Sequence, residues 1–302
     1  MVNFSSSPKC SKEFVYKASS TILATLNILS SVVIVFANTA VLHAILSTVR
    51  LRTISNYLLC SLSIADLLVG FVMNPIFVAV CLLQVISDTH PLRVAEHWLW
   101  MQTVVTTTFT LCAVTIERYI AVKFVFRYFH IVTGIRCVCG VVFIWAFSFI
   151  FASLRFLVTD PRDLPKLWTV TTILAVLIPL AIILYCNFHI ALEARMHLRE
   201  IVSQCHTNPT LATTMAKNKE SAHTVGIVVA LFVLLWSPSV VLSFVEVTTE
   251  DLCSRKDIAY VWFWAAYISF LSSALNPLVY SVRSREIRTA VSLGLQRSFC
   301  LC

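Results

Sequence analysis

From Trp98 through Ile116 not one residue is charged, and the run then closes on Glu117-Arg118-Tyr119. An apolar helix of that length crosses the hydrocarbon core of a bilayer, because in lipid every backbone N–H and C=O must find its partner inside the segment. Six more apolar runs, not all free of charge, stand in the chain: about Thr21 to Leu46, Ile54 to Ser87, Val138 to Leu154, Trp168 towards Glu200, Ala222 to Val245 and Ile258 to Val282. Barrel strands are excluded, since they alternate over about ten residues and these runs do not. With 58% hydrophobic and 13% charged residues, against about 25% charged in a soluble domain, no soluble class fits. The predicted fold is all-α: a seven-transmembrane-helix bundle over residues 21–282, an extracellular tail over 1–20 and a cytoplasmic tail over 283–302. In that last segment Ser284 to Val291 reads as a short amphipathic membrane-surface helix.

A net charge of +8 would suit nucleic acid, but its distribution points to the membrane. With the N-terminus outside, the cytoplasmic segments carry fourteen Lys/Arg against five Asp/Glu, while the outer segments balance. That asymmetry predicts N-terminus out and C-terminus in, at the cell membrane, with anionic inner-leaflet lipid rather than nucleic acid beside the basic loops. Two thiols, Cys10 and Cys253, are clearly extracellular and form a disulfide candidate; two free thiols are the other reading. Cys300 and Cys302 are palmitoylation candidates or idle cytosolic thiols. Asn3-Phe4-Ser5 is an N-glycosylation acceptor, and the polar first twenty residues contain no cleavable signal peptide. The one long cytoplasmic linker is Ile201 to Lys219.

Inside the spans, single polar letters carry the information. Asp66 sits in mid-bilayer, where a carboxylate costs several kcal/mol unless it faces the bundle interior and finds partners. Asn38, Thr107, Ser272, Ser273 and Asn276 lie at matching depth and could form a small hydrated cage with it. A proton or a Na⁺ ion would offset the charge; a purely structural, hydrogen-bonded carboxylate is the competing reading. Pro179, Pro238 and Pro277 each remove a backbone hydrogen bond and predict kinks, hence hinges, in three spans.

Asn38, Asp66, Glu117-Arg118-Tyr119, Trp145, Pro179, Phe232-x-x-x-Trp236-x-Pro238 and Asn276-Pro277-x-x-Tyr280, in this order across seven spans, resemble the rhodopsin-like (class A) G-protein-coupled receptors. Within the class, Glu117 to Thr133 and Tyr280 to Arg288 are similar to melanocortin and adenosine receptors. The resemblance implies a receptor, not an enzyme, in which an extracellular ligand shifts the bundle to a state that activates a heterotrimeric G protein. It implies that Glu117 holds Arg118 at rest, that Arg118 meets the G protein when active, that Trp236 senses ligand at the pocket floor and that Tyr280 swings inward. It also implies an allosteric Na⁺ at Asp66 and its neighbours, and arrestin and a receptor kinase as further partners.

Departures from the family pattern shape the expectations. Arg93 stands where the family usually has a Cys bonded to the loop after span four, an absence shared with melanocortin receptors, so the resemblance leaves Cys10 with Cys253 as the staple. Asn187 replaces the span-five Tyr, so the family's usual active-state water bridge to the span-seven Tyr is not expected; Asn218, with Glu220 nearby, replaces the span-six acid, which predicts a weak resting lock and some ligand-independent signalling. Trp100 excludes the Asp that amine receptors need, and Phe270 excludes the Lys that opsins need. Ile76, Arg93 and His97 replace the Ca²⁺-binding acids of melanocortin receptors, and Ser243 replaces the adenosine-binding Asn. What remains is an apolar, aromatic ligand pocket from Trp100, Met101, Trp168, Trp236, Trp262 and Phe270, with Glu96, Arg155 and Glu246 at its rim. Such a cavity suits a small molecule, a lipid or a short peptide. The alternative is a seven-helix ligand- or partner-binding membrane protein that does not couple to G proteins. A transporter would show more intramembrane charge or repeated halves.

Overall fold

The computed structural model describes residues 13–85, 87–204, 209–249 and 252–299, with side chains for 15–85, 87–193, 226–246, 248–249, 257–279, 281–282 and 284–294. Asn3, Cys10, Cys300 and Cys302, and the side chains of Cys253, Asn218, Glu220 and Tyr280, lie outside the described residues. Among those described, every regular element is helical and seven helices are long and apolar enough to cross a membrane.

α1 is Glu13–Ser47. α2 comprises Ile54–Leu68, a π turn over Val69–Met73 and Asn74–Leu82. α3 is Pro91–Lys123 and α4 is Gly134–Ala152, with a single helical turn, Tyr128–Ile131, between them. α5 comprises Leu164–Thr171, a π turn over Thr172–Leu177 and Ile178–Gln204. α6 is Pro209–Thr248, α7 is Leu252–Arg283 and α8 is Arg285–Phe299.

Several boundaries differ from the sequence reading: α3 starts at Pro91 rather than Trp98 and α7 at Leu252 rather than Ile258, and four further differences have structural content. α1 starts at Glu13 rather than near residue 21, because its first turns have a neighbour: Tyr16 stacks on Tyr260 of α7 at 3.9 Å and its hydroxyl donates to Asp257, while Trp264 Nε1 donates to Ser19 Oγ at 2.7 Å. α2 stops at Leu82, not Ser87, at a Gln84 held at φ 51°. The linker expected over Ile201 to Lys219 is largely helix, since α5 runs to Gln204 and α6 begins at Pro209. The membrane-surface helix is longer than Ser284 to Val291, reaching Phe299.

The prolines explain most of the internal irregularity. Within α2 and α5 each π turn ends just before one, at Pro75 and Pro179. In the i→i+5 register Asn74 N–H reaches Val69 O, so Gly70 O would need the N–H that Pro75 lacks. Ser31 Oγ of α1 donates to Gly70 O instead, at 2.5 Å. In α6, Pro238 cannot serve Leu234 O, and Ser237 Oγ donates there at 2.9 Å. In α7, Pro277 cannot serve Ser273 O, and Asn38 Nδ2 of α1 fills the vacancy at 3.0 Å. The mid-membrane Asn38 is therefore required partly by a proline on another helix.

α3 is the axis. In its most apolar window 83% of residues are buried, against 17% for α4. Its many threonines lie in protein, where Thr103, Thr108 and Thr115 donate back to Leu99 O, Val104 O and Leu111 O at 2.7–2.9 Å. Elsewhere the helices show large apolar side chains to lipid, with Val32, Phe71, Phe143 and Phe188 each more than 60% exposed.

Close contact between α1 and α2 rests on Gly70. A Cβ there would lie 2.9 Å from Val35 Cγ2 and 3.0 Å from Ile34 Cγ2. Gly70→Val is expected to force the helices apart at about 1–3 kcal/mol, as overpacked cores generally do. A thermal melt in detergent should show it clearly lowered, while Gly294→Ala, whose Cβ meets His43 at an ordinary 3.4 Å, should melt as the parent does.

Candidate functional site

The polar and aromatic side chains singled out above fall into four layers along α3. At the end opposite α8, Arg155 enters the bundle from the stretch after α4 and is only 4% exposed. Its Nη2 donates to Asp88 O at 2.7 Å, its Nη1 to Val158 O at 3.1 Å and its Nε to His97 Nδ1 at 3.3 Å. Arg93 pairs with Glu96 one turn along α3, lies 3.5 Å from Asp88 and covers the Phe263 ring at 5.1 Å. Glu96 and Arg155, expected as rim charges, lie in this buried ionic cluster, with Glu96 5% exposed. This cluster stitches the α2–α3 loop, α3 and the segment after α4 together, in the place where the family's disulfide would act.

Below it lies an aromatic layer. Trp100 of α3 is its centre, with ring centroids 5.6 Å from Trp168 of α5, 5.9 Å from Trp236 of α6 and 5.5 Å from Trp262 of α7. Trp262 Nε1 donates to Glu246 at 3.1 Å, which places that expected rim acid beside the layer. Phe270 packs edge-on against Phe77 at 5.6 Å, and Met101 is fully buried. The indole N–H groups of Trp100 and Trp236 are buried and have no acceptor among the described residues. Two unpartnered donors in an apolar aromatic layer favour an acceptor-bearing guest. Ser243, by contrast, is engaged: it donates to Ser239 O at 2.9 Å and accepts from Thr172 at 3.1 Å.

The third layer surrounds Asp66, which is 1% exposed. Its Oδ2 accepts from Asn276 Nδ2 at 3.1 Å, and Ser273 stands beside it. Ser272 instead turns back to Ser269 O at 2.7 Å. Thr107 is buried on α3, without a described bond to the carboxylate. Asp66 Oδ1, Asn38 Oδ1 and Ser63 Oγ are buried without a described partner. Asn74, two turns along α2, is 0% exposed with neither amide atom partnered. Orphaned oxygens of this kind fit a small cation or water held between α1, α2 and α7.

At the α8 end, Arg118 Nε donates to Glu117 Oε2 at 2.6 Å, with both residues buried. Two further groups close the pair. Ser55 of α2 donates to Glu117 Oε1 at 2.9 Å and contacts Arg118, and the Tyr128 hydroxyl donates to Glu117 Oε1. Burial, and then the neighbouring Glu117 carboxylate, push the Tyr128 phenol up to about 12, so at neutral pH it stays a protonated donor. Tyr119 points elsewhere, accepting from Lys123 at 2.7 Å and packing on His189. Trp145 Nε1 donates to Ser61 Oγ at 3.1 Å, tying α4 to α2. Asn187 turns to its own Ile183 O at 2.9 Å.

Sequence reading missed Ser55, Tyr128, Asp88 and Asn74, each unremarkable as a letter. The signal available for Tyr128 was its spacing: it follows a short loop eleven residues after Glu117, within the reach of a side chain returning to the helix end.

The description "7 transmembrane receptor (rhodopsin family)" belongs to the family model that matches residues 37–280. Among curated relatives, the human adenosine receptor A2a is 25% identical over 295 residues, covering 89% of this chain and 71% of that protein. The dog adenosine receptor A2a is 24% identical over 295 residues, covering 87% and 69%.

Removing Arg155 leaves His97 and two part-buried carbonyls without this donor. Arg155→Ala should cost on the order of 2 kcal/mol in a thermal melt, more than Arg155→Lys, which keeps a cation but loses the three-way reach of the guanidinium. Equal melting of both variants with the parent would remove the stitching role.

Proposed function

The chain belongs to the rhodopsin family of seven-transmembrane receptors, and from that premise we propose that a compact ligand enters the four-indole chamber and is read by Trp236. It is a class A G-protein-coupled receptor, a multi-pass membrane protein and not an enzyme. The observation that carries the ligand reading is the pair of buried, acceptorless indole N–H groups on Trp100 and Trp236. A guest with hydrogen-bond acceptors and a mainly apolar body would satisfy both while displacing indole–indole contacts. The adenosine relatives are named for a nucleoside, but here Ser243 has its hydroxyl engaged by Ser239 and Thr172, which argues against a purine ligand.

Signalling then follows from how the helices are joined. Trp236 stacks on Phe232 at 5.2 Å, one turn nearer the α8 end. Two residues beyond Trp236, Pro238 breaks the backbone ladder, and Ser239 bonds Ser269 of α7 at 2.8 Å. A ligand that moves Trp236 therefore acts on a hinge, and α6 swings at its far end. There Glu117 releases Arg118, which meets the C-terminal segment of the G protein α subunit. Ligand and G protein bias one equilibrium from opposite ends, so each strengthens the other's binding.

In the orientation we propose, the N-terminus is outside and the α8 end faces the cytosol, as the basic residues of that end favour. Arrestin and a receptor kinase would engage the same face. Asp66 with Ser273 and Asn38 would hold a Na⁺ ion, which supplies the positive charge that a mid-membrane carboxylate otherwise lacks and favours the resting packing. The resting lock includes Ser55 and Tyr128 of this chain, and we propose that it leaves a measurable basal signal.

Nucleotide exchange on purified G proteins, with surface expression matched, tests this reading. Arg118→Ala should abolish exchange. Tyr128→Phe combined with Ser55→Ala should raise the basal rate several-fold, because a lost hydrogen bond to a charged group is worth roughly 1.5–3 kcal/mol. Silence of the parent and of the double variant with every G protein tried would favour a ligand-binding seven-helix protein that does not couple.

A further inference from the structure

Pro238 strands Leu234 O, and Ser237 serves it from within α6. The next carbonyl along, Leu235 O, is met from another helix: Ser269 Oγ of α7 reaches it at 3.3 Å, before the proline. The same oxygen lies 2.8 Å from Ser239 Oγ, just after the proline. One α7 hydroxyl therefore touches α6 on both sides of its hinge. Ser269 and Ser239 are 0% and 1% exposed, so neither can exchange these bonds for bonds to water in place.

The protons decide what this contact can do. Ser269 Oγ has three acceptors in reach, namely Leu235 O, Ser239 Oγ and its own Ala265 O at 2.9 Å, and a hydroxyl carries one proton. When Ser239 donates to Ser269 and Ser269 to Leu235 O, both protons cross between the helices and the hinge is bridged. When Ser269 donates to Ala265 O instead, the bridge to Leu235 O is released and no hydroxyl proton is stranded. A contact of this kind can let go without leaving a buried donor unmade. Beyond the proline, Ser243 donates to Ser239 O at 2.9 Å and Thr172 of α5 donates to Ser243 Oγ at 3.1 Å. The α6 segment after Pro238 is thus tied to α5 as well as to α7, which makes it the static side of the bend. We propose that Ser269 is a positioning residue for signalling, a latch across the Pro238 hinge that holds α6 in the packing where Glu117 keeps Arg118 and lets go when α6 bends; this rests on the function proposed above, in which α6 swings about that proline.

The test uses the full-length receptor in phosphatidylcholine nanodiscs carrying Ala230→trifluoromethyl-phenylalanine, at an exposed α6 position about two turns before Pro238. Fluorine spectra count the packings of α6 without any G protein, and basal nucleotide exchange on purified G proteins reads coupling. Ser239→Ala should raise the minor packing about three-fold, the shift that one interhelical hydrogen bond gives in a bilayer, and basal exchange with it. Ser269→Ala, which also loses Leu235 O, should raise both at least as far, and the double variant no further than Ser269→Ala alone. Thr172→Val removes a hydrogen bond of the same kind from one side of the hinge only, and should leave both readouts at the parent's values. Fluorine spectra unchanged in both serine variants overturn the latch. So does a double variant whose effect is the product of the singles, or an equal rise in Thr172→Val. Spectra that shift as expected while every protein is silent in exchange keep the latch and overturn the coupling; exchange in the parent with unshifted spectra does the reverse. Should Ser269→Ala fail to melt cooperatively, Ser239→Ala decides by the same two readouts.

Discussion

In hydrocarbon a backbone carbonyl without a donor has nowhere to turn, and this bundle is arranged around the carbonyls that its prolines strand. Gly70 O takes Ser31 from the neighbouring helix, Leu234 O takes Ser237 from its own, and Ser273 O takes Asn38 from across the bundle. Each repair fixes something else. The first draws α1 against α2 at a glycine; the second supplies a donor within α6 where Pro238 has none; the third joins α1 to α7 beside Asp66. Two of the three carbonyls stranded by prolines are thus also places where neighbouring helices are tied together.

The same economy governs charge on α3. Being sheathed in protein, it cannot send a charged side chain to water from its middle, and it carries its charges at the two ends. At one end Arg93, Glu96 and His97 gather Arg155 and Asp88; at the other Glu117 and Arg118 gather Ser55 and Tyr128. Both clusters are held by side chains from outside α3, so each reports the position of a neighbouring loop or helix. The difference between them is in what holds them. The first is fastened by carbonyl contacts to Arg155, whereas in the second a serine and a tyrosine converge on one oxygen of the Glu117 carboxylate.

How much of this was legible in the letters follows from range. The spans, Asp66 beside Asn276 and the Trp236–Pro238 hinge were readable, because a charge or a proline inside an apolar run stands out without any partner being known. The π turn at Val69–Met73 was within reach of the same logic through Pro75, though it lay near a span end where a proline is unremarkable. Arg155 was legible as a charge but not as a buried one, since burial depended on Asp88 O and His97, which lie 67 and 58 residues away. Ser55 was invisible: a serine at a helix start is ordinarily a cap or a solvated hydroxyl, and only the fold brings it to a glutamate 62 residues on.

The aromatic layer links these ends. Three indoles packed on Trp100 would make a rigid plug if every N–H were satisfied, as Trp262 is by Glu246. Trp100 and Trp236 have no acceptor among the described residues, and a buried donor left unmade costs free energy that an acceptor brought to it recovers. The resting packing therefore contains its own bias towards being disturbed, placed on the two rings nearest the α6 hinge. Because Trp236 also stacks on Phe232, relief at its N–H and loss at its ring face act on the same helix in the same turn. On the function proposed above, a ligand need not push α6 with its bulk: it would exchange one set of contacts at Trp236 for another, next to the backbone position that Pro238 leaves without its hydrogen bond.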